Sequence, residues 1–255
     1  MRVALTATWL AVCLAWPLQA GSAQVAQAPD SARTVHSGLP YGSQSLFNPA
    51  TVVLNKGFDI AQLWKSSRDI WSYPIGTGFT HYIPDILLHP RAAIKRDPGW
   101  EEWLRTEVLP LSFGDARWVV NWTEHLLGGG VTYRGLTDWY ATRGVPHPKL
   151  AAGVTTIAGA ALNEITEHPG FTQGTSSSVA DLWIFDLGGV LLFSWDRPAR
   201  WAVEHLQMAD WSNIASFTVP GLELENNGQY LVMKPPFRST ASGSSSGSGS
   251  ACSSA

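Results

Sequence analysis

Apolar and polar positions recur at helical spacing over three Gly- and Ala-rich segments, at about 117–143, 149–167 and 178–195. Each carries ionisable or amide groups where a plain core would carry Leu or Val. The first holds Asn121, Glu124, His125, Arg134 and Asp138; the second Asn163, Glu164 and Glu167; the third Asp181 and Asp186. Burying such groups costs several kcal/mol unless each finds a partner, so they mark either a structural polar network or a site.

The punctuation around these segments predicts helices. The first stops at Gly144, with Pro146 beyond it. The second opens near Pro148 and ends before Pro169-Gly170, and the third runs from Ser178, a fair N-cap, to Trp195. A fourth helix is expected over about 198–210. After Asp210 the period shortens. Ile214 to Glu225 and Gln229 to Lys234 read as strands, and Asn226-Asn227-Gly228 between them is a hairpin signal. Such a pair is marginal alone and must pack on the helices or join another sheet. Small residues cluster at Gly128-Gly129-Gly130 and Gly188-Gly189, which predicts either close approach of a neighbouring helix or, at 128–130, a break.

Ahead of these segments, residues 46–115 form an irregular Trp/Pro-rich layer, with short helices expected at about 58–72 and 98–108. The second of these has Asp97 as N-cap, Pro98 at its first position, and Glu101 and Glu102 in its first turn. The fold class expected is mainly α. It has a packed core of three to four helices over 116–211, the Pro/Trp-rich N-terminal layer, and a short C-terminal β-hairpin over 212–237.

The ends read differently. Arg2, an apolar run from Val3 to about Leu18, and small residues at Ala20 to Ala23 read as a secretory signal. Cleavage is expected after Ala23, with Ala20 as the alternative; a lipoprotein signal ending at Cys13 fits poorly, because Val12 precedes the Cys. A polar lead-in occupies 24–45, and a Ser/Gly-rich tail occupies 238–255. About 232 residues remain after cleavage, enough to bury a real core. With Cys13 removed, Cys252 stands alone, so neither an internal disulfide nor a thiolate zinc site is available. A net charge of -3 with no basic stripe gives no support to nucleic-acid binding. Of thirteen Trp, all but Trp9 and Trp16 lie beyond the leader, and they suit core packing or a lipid or binding surface.

None of the helices is a convincing membrane span, which needs about 20 mostly apolar residues. Leu150 to Leu162 is too short, and Val179 to Trp195 contains two Asp. A membrane-embedded bundle with a polar centre remains the alternative.

Helical spacing sorts the candidate chemistry. Asn121, His125 and Thr132 share a face, while Arg134 and Asp138, four apart, suit a surface salt bridge. Thr156, Asn163, Glu164 and Glu167 share an arc of the second helix. Asp181 lies on an apolar stripe of the third helix, and Asp186 points elsewhere. The sharp expectation is that His125, Glu164 and Asp181 converge, supported by Asn121, Arg134, Asn163 and Glu167. A His flanked by carboxylates could act as a general base or ligate a metal; the plainer reading is a structural network, with no metal or cofactor expected. Outside the Ser/Gly-rich tail no Gly-x-Ser-x-Gly elbow occurs, and the chain carries neither a phosphate loop nor a His-Glu-x-x-His motif.

The series Asn121-x3-His125, Tyr133-Arg134, Asn163-Glu164-x2-Glu167 and Ser178-x2-Asp181 followed by Gly188-Gly189 resembles a helical pattern of uncharacterised bacterial envelope proteins. More distantly it is similar to VanZ-like membrane proteins. The resemblance covers about 120–195 and implies a cell-envelope location and a helical core, in some relatives followed by outer-membrane-type strands. It supplies no activity. One hairpin and a Ser/Gly tail cannot make a full barrel from this chain alone. The function expected is an exported envelope protein of structural or binding role, in the periplasm or at the outer membrane. Its partner would be membrane lipid or another envelope protein. A lipid- or cell-wall-directed hydrolase using His125, Glu164 and Asp181 is the alternative.

Overall fold

The computed structural model describes residues 35–39, 41, 43–62, 68–111, 117–168, 170 and 175–234. The expected leader, most of the lead-in, part of the loop before the third predicted helix, and the Ser/Gly tail with Cys252 lie outside them. The protein is mainly helical, with a small antiparallel strand element near the C-terminal end of the described residues.

Helix α1 (Pro49–Gly57) was not anticipated; of the short helix expected at 58–72, the described ends hold two 3-10 turns, Asp59–Gln62 and Ile70–Ser72, and residues 63–67 lie outside the described residues. The signal for α1 is local. The Asn48 side chain accepts from the Thr51 amide at 3.0 Å, and Pro49 occupies the first helical position. Three short helices follow: α2 (75–88), α3 (Pro90–Arg96) and α4 (100–108). The last starts two residues later than Pro98 suggested, because Gly99 sits at φ +99°, a backbone conformation that Gly adopts without strain.

The three apolar segments form α5 (117–142), α6 (Pro148–Glu167) and α7 (Ser176–Phe193), and α8 spans Asp196–His205. Helix α5 runs unbroken through its three glycines. Helix α7 is capped by Thr175, whose Oγ1 accepts from the Ser178 amide at 3.4 Å, so Ser178 lies inside the helix. Among the described residues, α7 is the one helix long and apolar enough to cross a membrane. More than half of it is buried inside the protein, and it carries Asp181 and Asp186.

Helix α6 is central and packs against α1, α5 and α7. Ala160, Ala161 and Ile165 of α6 meet Ile86 of α2 and Phe185 of α7, while Ala152 joins Val131, Leu136 and Phe193 in a second cluster. The glycines set the spacing. A methyl group added at Gly189 of α7 would lie 2.6 Å from the Leu126 carbonyl oxygen and 3.1 Å from the Gly130 nitrogen. The backbones of α5 and α7 therefore approach more closely than any side chain permits.

The β element departs from expectation in its turn. Ala209–Asp210 (β1) pairs with Leu231–Val232 (β4), and Ser216–Phe217 (β2) pairs with Leu224–Glu225 (β3). Backbone bonds from Trp211 N to Tyr230 O (2.8 Å) and from Asn213 N to Gly228 O (3.0 Å) keep the same register between them. The four short strands are thus one interrupted ribbon that turns at 219–222. Asn226-Asn227-Gly228 lies partway along one arm, where it docks on α1: Gly228 N donates to Asn55 Oδ1 at 2.9 Å, and Asn227 Nδ2 donates to the Phe58 carbonyl at 2.6 Å. The expected fourth helix ends early because residues 209–210 belong to this ribbon.

Candidate functional site

Four stretches of the helices are π-helical: Gly78–Tyr82 in α2, Leu104–Val108 in α4, Asn121–Gly128 in α5 and Ala180–Asp186 in α7. Each brings a polar side chain inward: Tyr82, Glu107, Asn121 with His125, and Asp181 with Asp186. Wide turns of this kind are rare and concentrate at functional sites.

The centre of the seam is an ion triad. Lys56 Nζ, from the last turn of α1, donates to Asp186 Oδ1 at 2.6 Å, and His125 Nδ1 lies 3.2 Å from Asp186 Oδ2. Asp186 is 0% exposed. Two glycines admit the lysine. A Cβ at Gly159 of α6 would touch the Lys56 stem at 3.6 Å, and one at Gly129 of α5 would sit 3.3 Å from Asp186 Oδ1. Burial opposes charge on Asp186, yet Lys56 and His125 together hold its carboxyl below the usual range. Burial likewise opposes charge on His125, but Asp186, with Asp181 behind it, raises the imidazole to about 9. The ring therefore carries its proton at neutral pH.

Glu164 and Asp181 lie beyond the triad; among the described residues His168 Nδ1, 3.9 Å from Glu164 Oε2, is the one basic group at ion-pair distance from either. Glu164 is 1% exposed and Asp181 9%. Burial, Asp181 and Glu167 push the Glu164 carboxyl well above the ordinary range, against a hydrogen bond from Ser178 and the charge of His125. Burial first, with Asp186, Glu107 and Glu167, lifts Asp181 to about 7, although His125 pulls the other way. Glu164 Oε2, Asp181 Oδ1 and Asn163 Oδ1 are all buried without a hydrogen-bond partner. Orphan carboxylate oxygens in a dry interior favour the protonated acid.

The flanks are better satisfied. The Ser178 hydroxyl shares hydrogen bonds with Tyr82 (2.9 Å) and Thr175 (2.7 Å), so it is occupied. Asn121 Nδ2 donates to the Glu107 carbonyl at 2.9 Å, and Arg117 pairs with the Glu107 carboxylate at 2.7 Å. Asn163 Nδ2 donates to Glu167 Oε1 at 2.8 Å.

Three sequence readings are corrected here. Asp186 does not point away; it is the direct partner of His125. Periodicity at 100° per residue separates Asp181 from Asp186, but the π turn that contains both pairs residues five apart and brings them to one side. The Arg134–Asp138 pair is buried rather than superficial, and it stands outside the triad. Arg134 Nε meets Asp138 Oδ1 at 3.2 Å and Nη1 meets Asp196 Oδ1 at 2.5 Å, while the Val35 and His36 amides donate to Asp138 Oδ2. The cluster needs α8 and the segment at 35–36, neither of which local spacing places beside α5. Lys56 and Glu107 were missed as network members. A lone Lys two residues beyond the apolar run Val52-Val53-Leu54 was the available signal for the first.

Among the described residues, no group of three His, Cys, Asp or Glu could hold a metal ion. No protein-family model, curated protein or solved structure matches the chain.

Proposed function

We propose that this chain is an exported cell-envelope protein with a structural or binding role, its polar seam serving as an internal lock between helices. The observation that carries this reading is the ion triad at the centre of the seam: the Asp186 carboxylate, fully buried, is consumed by Lys56 on one side and His125 on the other. A cationic His125 is protonated on both ring nitrogens and has no lone pair with which to take a proton from a nucleophile, which weighs against the hydrolase alternative. The buried Ser178 hydroxyl on α7 is engaged by Tyr82 and Thr175. Export rests on the leader pattern of the first 23 residues, and the envelope location also on the resemblance over 120–195.

Fractionation of a bacterial host expressing the full chain, with the mass of the recovered protein, tests the proposal. The expected product has lost about 23 residues and is recovered from periplasm or outer membrane. An intact chain confined to the cytoplasm would overturn it.

A further inference from the structure

The geometry points to the corner where α6 begins, α7 ends and α8 follows as the surface that seats this protein on an anionic lipid bilayer. This names the partner within the envelope role proposed above and rests on it. Helices α6 and α7 run antiparallel there. Lys149 Nζ donates to the Ser194 carbonyl at 2.7 Å, and a Cβ at Gly153 would contact Val190 at 3.7 Å. That places Leu150 and Val154 of α6, spaced one turn apart, beside Leu191 and Trp195 at the end of α7. All four point outward, at 67%, 63%, 55% and 63% exposure, and Trp201 of α8 is 51% exposed.

Charge selects the occupant. Lys149, Arg197 and Arg200 are exposed around these apolar residues, and neither arginine is in a salt bridge among the described residues. Asp196, the acid at the centre of the corner, is matched from beneath: the Arg134 hydrogen bond is the main cause that lowers its carboxyl, and the Lys149 and Arg200 charges add to it. With the exposed Glu204 of α8 counted, three cations face two acids, one of them already matched by Arg134; the corner is therefore cationic outward, with indoles among the cations, the combination that suits a headgroup boundary carrying negative charge. A second apolar area, with Leu104, Val120 and Trp122 exposed, lacks this character, because Arg105 is paired with Glu102 and Arg117 with Glu107.

Vesicle sedimentation of the full chain tests the inference, using phosphatidylcholine vesicles with and without phosphatidylglycerol. The unaltered protein is expected to bind the anionic vesicles and to release as salt rises. Arg197→Glu/Arg200→Glu and Leu191→Ser/Trp195→Ser are each expected to weaken binding by about tenfold or more, with thermal midpoints unchanged. The apolar leader is common to every variant, so the difference reads the corner alone. Equal binding to both vesicle types, or variants that bind like the parent, would overturn the inference. So would a concentration-dependent dimer in sedimentation velocity that the same variants abolish while vesicles go unbound. Exported, processed protein that ignores vesicles would refute the lipid surface and leave the envelope reading standing. Cytoplasmic retention would refute the envelope reading whatever the vesicles show.

Discussion

Two buried ion clusters in this protein solve the cost of burying charge in different ways. Around Arg134, one guanidinium lies between two carboxylates, and Asp196 is 58% exposed. Water reaches that cluster at Asp196, and the second carboxylate, Asp138, is met by the Val35 and His36 amides. Around Asp186 the groups are dry, and acids outnumber cations: Lys56 and His125 face Asp186, Asp181 and Glu164, with Glu107 and Glu167 close enough to be felt. Retained protons supply the missing positive charge. Distance from water, rather than the number of ion pairs, decides which cluster the fold depends on.

The largest expected effect that would break this contrast is at Lys56. Lys56→Met leaves Asp186 buried with only His125 to oppose it and should cost about 3–5 kcal/mol in urea denaturation. A loss no greater than that of a surface substitution would place the seam in the same class as the Arg134 cluster. Next is Gly189→Ala, which forces apart two backbones that now touch and should cost about 1–3 kcal/mol by the same measurement.

Acidity sharpens the comparison further. Asp181, at about 7, and His125, at about 9, both bind protons more tightly in the folded chain than in the unfolded one. Folding is thus favoured on the acid side of each, and that advantage disappears as pH rises through about 7 and then about 9. Asp186 is held below its usual range and acts in the opposite sense, losing its contribution as pH falls through its folded value. Thermal midpoints should therefore be higher at mildly acid pH than at neutral pH, and fall further toward alkaline pH. Asp181→Asn should remove the lower part of that fall, and His125→Gln the upper. A midpoint flat between about pH 5 and 9 would contradict the retained protons.

The smallest effect belongs to the wet cluster. Asp196→Asn should change stability by about 0–1 kcal/mol, because its pairing with Arg134 is open to solvent. Finally, a chelator should leave the midpoint where it was.

The three long helices were legible because most of their boundaries rest on local chemistry: Gly144 and Pro148 act within a turn of themselves, whereas the start of α7 was expected at Ser178 and its cap is Thr175. Their polar content was also visible, since an Asp in an apolar helix stands out in any register. What spacing could not supply was the partner of each group. A period of 3.6 residues puts Asp186 on the wrong side, and nothing in the local pattern announces the π turn that corrects it. Nor could it supply Lys56, whose reason for being buried lies 130 residues away at Asp186. The ribbon failed for a similar cause. Asn226-Asn227-Gly228 has the composition of a tight turn, but its amides are spent on Asn55 and Phe58, and the chain reverses elsewhere.

Helix α1 is gripped from both sides by consecutive residues. Asn55 holds the ribbon through Gly228 and Asn213, and Lys56 holds α7. The positions it waits for lie 130 to 173 residues downstream. As the chain is synthesised, this helix emerges among the first described elements and completes its contacts among the last. A nascent or truncated chain that ends before the ribbon keeps the Asn55 amide and the Phe58 carbonyl without these mates, so α1 stays half-anchored until the C-terminal arm arrives.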